Sequence, residues 1–144
     1  MSMNASEQAK GLELTAKIAT LVNLFKQQFP DAKADLKPWR NDPHTRELTD
    51  PDSIDIAFHF PGWSPRIQGR SILVQIRFHL DSEDQHQRLI GLEMQAFNHQ
   101  GTAWRLSTVE NWQLVGNYQP SPKVADKLKY FSRQVFEVFK NEHR

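Results

Sequence analysis

The sequence contains no cysteine. That excludes disulfides, a thiolate nucleophile, and any zinc or iron–sulfur site with cysteine ligands. It also suits a reducing compartment. Nowhere do about 18 apolar residues run together, the length a membrane-spanning helix needs. The first ten residues, MSMNASEQAK, have no basic segment followed by an apolar run, so no secretory signal is expected. Charge of one sign is lacking too. Eighteen Lys+Arg against 17 Asp+Glu leave a net charge of +1, too little for a global field drawing the chain to nucleic acid, anionic membrane or acidic substrate. These absences describe a soluble protein expected in the cytoplasm.

Apolar residues make up only 38% of the 144, yet four are Trp and nine are Phe. A disordered chain does not carry that many aromatics. The expectation is one domain spanning 1–144, with a modest aromatic core under a polar surface.

Residues 6–29 repeat with helical period: Leu14, Ile18, Leu21, Val22, Phe25 and Phe29 share a stripe, and Pro30 ends it. Gly11 places the firm part of the helix from about Leu12. From 30 to 53 the pattern dissolves among Pro38, Pro43 and Pro51, which reads as an irregular crossover. A short helical turn is expected at His44–Leu48, with Trp39 pinning the segment to the body. Four alternating stretches follow, 54–60, 72–80, 90–96 and 104–108, each with its even-numbered residues apolar. Pairing Ala96 with Trp104 leaves His99, Gln100 and Gly101 as a hairpin loop, with the glycine at the left-handed position. Trp112 and Leu114 either continue the last strand past a bulge near Glu110 or begin a fifth. Residues 121–141 form a second helix: Ser121 caps it, Pro122 opens it, and Val124, Leu128, Phe131, Val135 and Phe139 recur along it. The predicted fold class is α+β. It is a two-layer sandwich in which an antiparallel meander of four or five strands has both helices packed on one face.

Chemistry is less legible. The six histidines fall in no H-x-x-x-H, H-E-x-x-H or H-x-H pattern. His59 and His79 share the polar face but sit about 26 Å apart at strand rise. No metal and no cofactor is expected. There is no G-x-S-x-G and no phosphate-binding glycine run, and Ser64 and Ser107 are ordinary loop and strand residues.

The polar sheet face places Gln75 near Glu93, Glu93 near Ser107, Gln95 beside Arg105 and Arg77 diagonal to Glu93, flanked by Leu73, Leu89 and Phe97. It reads either as a solvated face of weak ion pairs or as an uncovered binding surface. The 61–70 segment, PGWSPRIQGR, joins the first two strands. Pro61 and Pro65 stiffen it and Gly62 and Gly69 turn it, while Trp63, Arg66 and Arg70 are residue types that dominate interaction hot spots. The C-terminal helix carries many lysines and arginines, but Asp126, Glu137 and Glu142 interleave with them, as on an ordinary solvated face.

The function expected from these features is a small non-enzymatic adaptor or chaperone-like assembly module. It would hold another protein, or a second copy of itself, through Trp63, Arg66, Arg70, Arg77, Glu93, Phe97 and Arg105. The alternative is an enzyme or small-ligand binder with a pocket between the sheet and the 30–53 crossover, where Asp42, His44 and Glu47 are the first candidates. Single-stranded nucleic acid ranks third, because Phe97 alone offers an aromatic platform on that face.

Overall fold

The computed structural model describes residues 12–38, 53–81, 86–108 and 111–140. Helix α1 (Leu12–Gln28) leads into strands β1 (Lys33–Asp35), β2 (Ser53–Ser64), β3 (Gly69–Asp81), β4 (His86–Asn98), β5 (Gly101–Ser107) and β6 (Gln113–Gly116), and helix α2 (Pro122–Lys140) follows. The strands pair antiparallel in one sheet whose spatial order is the chain order. The α+β class and the meander therefore stand, with six strands instead of four or five. The difference lies at the edges. β1 is three residues long and sits inside the stretch read as irregular, while β6 is a separate strand of four. Neither is long enough to show alternation.

The helices form where the apolar stripes predict them. In α1 the buried side chains are Ile18, Leu21 and Phe25, with Phe29 just beyond; in α2 they are Val124, Leu128, Phe131, Val135 and Phe139. The Ser121 hydroxyl accepts from the Val124 amide at 3.4 Å and its carbonyl accepts from the Ala125 amide at 2.8 Å, so the expected cap is in place. Both stripes meet the even-numbered strand residues in one apolar cluster. Phe25 is its hub, stacked on Phe58 at 3.9 Å between centroids and edge-on to Phe131 at 5.1 Å. Phe78 meets Phe139 at the other end of the sheet, at 6.3 Å.

Three local expectations are corrected. Ile90, placed in the core by its even number, is 55% exposed, while Leu89 packs inward. The ladder shifts between the pairs Arg77↔Gly91 and Phe78↔Leu89, so β4 carries one extra residue there and the alternation inverts across it. The β4–β5 connection is the two-residue turn His99–Gln100 closed by Asn98↔Gly101, with Gly101 at φ 120° and a register shift that leaves Ala103 between the paired Thr102 and Trp104. The 61–70 segment is mostly strand: β2 runs to Ser64, Ser64 pairs with Gly69, and only 65–68 turn. The ladder breaks between His59 and Ser64, which accommodates Pro61, a residue without an amide hydrogen.

That turn also contributes to the core. Ile67 is fully buried, and its carbonyl accepts from the buried indole Nε1 of Trp104 at 2.6 Å. The β2–β3 tip is thereby tied to the middle of β5 by both packing and a desolvated hydrogen bond. The expected turn at 44–48, the role of Trp39, helix residues 6–11 and the bulge near Glu110 lie outside the described residues.

Candidate functional site

At one end of the sheet three connections come together: the β2–β3 turn, the β4–β5 turn and the segment after β6. Between them lies an open cleft of about 590 Å³ lined by Trp63, Gln68, Arg70, Asn98, His99, Gln100 and Tyr118. Its size is that of a pocket for a small ligand or a few residues of peptide. Backbone geometry aims these residues. Gln68 takes a left-handed conformation at φ 58° and its side-chain Nε2 donates to the Pro65 carbonyl at 2.9 Å, which fixes the turn between Trp63 and Arg70. Asn98 accepts from the Gln100 amide at 2.8 Å, which holds the opposing turn. The Tyr118 amide donates to Ala103 at 3.3 Å, which anchors the third wall.

The cleft is amphipathic. Trp63 and Tyr118 are about half exposed, at 51% and 49%, whereas Trp104 and most phenylalanines are buried. Arg70 supplies a cation, His99 an imidazole and three side-chain amides donors and acceptors, and no carboxylate lines it among the described residues. Ordinary packing leaves few large aromatics exposed beside one another, so the pair stands out.

The seven residues proposed from sequence fall in different places. Trp63 and Arg70 meet in the cleft. Arg66 turns back instead, its guanidinium 5.1 Å from the centroid of the Phe29 ring, so it braces the turn against α1. Arg77, Glu93 and Arg105 form a cluster on the sheet face away from the helices: Arg77 Nη2 donates to Glu93 Oε1 at 3.0 Å, and Arg105 Nε lies 4.0 Å from Glu93 Oε2. The expected pairs Gln75↔Glu93, Glu93↔Ser107 and Gln95↔Arg105 are all present. Phe97 is half-buried, opposite Ser71.

The expectation that this face is uncovered is corrected in part, since Arg77, Gln95, Phe97 and Arg105 on it stay partly exposed. Ser53, Asp55, Ala57, Leu73, Gln75 and Ser107 all point to it and all are buried, Asp55 completely. Alternation assigns a side chain to a face but does not report what lies over that face. Leu73 is therefore not an exposed anchor. Gln75 Nε2 is buried with no hydrogen-bond partner among the described residues, while its Oε1 faces Arg77 Nη2 at 3.5 Å.

A third constellation escaped the sequence reading. His59 Nε2 lies 3.0 Å from Asp35 Oδ2, and His59 Nδ1 lies 2.8 Å from the Ser71 hydroxyl. Three strands supply the three groups, because Ser71 is the cross-strand partner of His59 and Asp35 stands on β1 diagonal to it. The only sequence signal available was the pairing of His59 with position 71; β1 itself was not legible. Among the described residues no three His, Asp or Glu side chains gather as metal ligands. Asp42, His44 and Glu47, the candidates for a pocket under the crossover, lie outside those residues. No helix among them is long and apolar enough to cross a membrane.

Neither the curated proteins nor the solved structures include a match to this sequence. A family described as a domain of unknown function matches residues 6–141, and the chain belongs to that family.

Proposed function

We propose that the protein is a binding module of the adaptor or chaperone-like assembly kind, holding a short acidic segment of another protein in the cleft at the turn end of the sheet. The observation that carries the reading is the pair of half-exposed aromatics, Trp63 and Tyr118, set beside Arg70 and His99 in a lining whose described residues include no carboxylate. Aromatic rings give contact area at low entropic cost, and the Arg70 guanidinium selects for negative charge. Trp63 sits at the end of β2 beside a braced turn, since Ile67 is buried and Arg66 rests on Phe29. The site is thus largely preformed, and little ordering cost opposes binding.

Selection of a displayed random-peptide library on the full chain, followed by calorimetric titration of the enriched peptides, tests this. Enriched peptides should carry Asp or Glu around an apolar anchor. Trp63→Ala and Tyr118→Ala should each weaken them at least tenfold, and Arg70→Ala should remove the acidic preference, all with the melting temperature within a few degrees. A library that yields no enrichment, or affinities unchanged in all three variants, overturns the reading. So does tighter binding of a labelled single-stranded oligonucleotide through the same residues.

A further inference from the structure

We infer that Ser71 is an activated nucleophile, with His59 as its general base and Asp35 as the group that orients His59, and that it accepts acyl groups from carboxylic esters. This site is separate from the cleft and does not depend on the binding function proposed for it.

The inference starts from the tautomer. A carboxylate can only accept a hydrogen bond, so the 3.0 Å contact from Asp35 Oδ2 requires the proton on His59 Nε2. In the neutral ring Nδ1 then carries the lone pair, and Ser71, 2.8 Å away, donates its hydroxyl hydrogen to it. The roles of carboxylate, imidazole and hydroxyl are those of a catalytic triad, with the two ring nitrogens exchanged. Such an assembly is recognised by geometry and not by order along the chain.

The orienting group is itself held. Asp35 Oδ1 accepts from the Lys37 amide at 2.9 Å, so one oxygen is fixed by the backbone while the other faces the imidazole. The carboxylate is mostly shielded, with 19% of its side chain exposed against 47% for His59. The ring is therefore held by a shielded carboxylate while about half of its own surface stays open. Neighbouring residues supply two further parts. Lys33 is the cross-strand partner of His59 and puts a cation on the same face for charge developing on a carbonyl oxygen. Phe97 is the partner of Ser71 on the other side and offers an apolar surface beside it for the acyl chain.

The reaction balances with the ester and water alone. Ser71 Oγ bonds to the carbonyl carbon as its proton passes to His59 Nδ1. The carbon–oxygen bond to the leaving alcohol breaks, and that oxygen takes the proton from Nδ1. Water, deprotonated by the same nitrogen, then releases the carboxylic acid and restores the serine.

The full chain is treated with an alkyl fluorophosphonate, which forms an Oγ–phosphorus bond and expels fluoride, and with p-nitrophenyl butyrate. Peptide mass spectrometry should place one phosphonyl group on Ser71. Ser71→Ala should be unlabelled and lose the ester turnover above background. His59→Gln should slow labelling by about a hundredfold, within the range a positioned base contributes, and Asp35→Asn by at least tenfold. A Ser71→Cys variant, assayed by its iodoacetamide alkylation rate with and without Asp35→Asn, reports the same relay if loss of the hydroxyl weakens the fold. Wild-type labelling no faster than that of Ser71→Ala, label on a different residue, or a thiol alkylation rate in Ser71→Cys that is indifferent to Asp35→Asn overturns the inference. Any of these would leave only a hydrogen-bonded tie between β1 and the sheet.

Discussion

At Gly116 the backbone takes φ 143°, and an added Cβ would lie 2.3 Å from the Ala103 carbonyl oxygen and 2.5 Å from the Trp104 Cα. Both obstacles are backbone, so neither can swing aside. Gly116→Ala should therefore cost more than about 2 kcal/mol, combining strain at positive φ with a forced separation of β6 from β5. Gly62 makes the contrast: nothing lies within 4 Å of its added Cβ and its φ is not positive. Gly62→Ala should stay within about 0.5 kcal/mol of the wild type. Chemical denaturation of the two variants side by side checks the pair. A comparable loss in both would mean that β6 does not approach β5 as closely as described.

The strands show how much of the structure could be read beforehand. Even-numbered apolar residues located the inward faces of β2, β3, β4 and β5, and the Ala96–Trp104 register followed from keeping apolar residues opposite one another. What escaped was whatever breaks period two. One extra residue near Ile90 inverts the alternation without altering composition, and three-residue β1 has no period to detect. The site was legible in part for the same reason. Trp63 and Arg70 were found as residue types on a turn. His99 and Tyr118 complete the cleft only through long-range placement, and Asp35 meets His59 only because β1 exists. The bulge gives a sharp test. Ile90→Lys should change stability by no more than about 0.5 kcal/mol, whereas Leu89→Ala should cost about 1–3 kcal/mol, since Leu89 packs on the core. Thermal melts that ranked the two in the opposite order would restore the uninterrupted alternation.

For the molecule as a whole, one apolar cluster takes side chains from both helices and from the inner faces of the central strands. Phe25, on α1, touches β2 through Phe58 and α2 through Phe131. A structure joined at such a hub should unfold in a single cooperative transition, with far-ultraviolet circular dichroism and near-ultraviolet signals superimposable in urea. Phe25→Ala should lower its stability by about 3–5 kcal/mol. Separate transitions for helix and sheet signals would show instead that the helices dock independently.

The hydrogen bond from the Trp104 indole to Ile67 has a spectroscopic corollary. A fully enclosed indole with a fixed partner should emit toward the blue and resist quenching by acrylamide. The half-exposed Trp63, on the tip that the same bond secures, should emit toward the red and be quenched readily. With Trp39 and Trp112 replaced by phenylalanine, one remaining fluorophore would register occupancy of the cleft and the other the integrity of the interior, so a single emission spectrum could tell engagement of a ligand from loss of the fold.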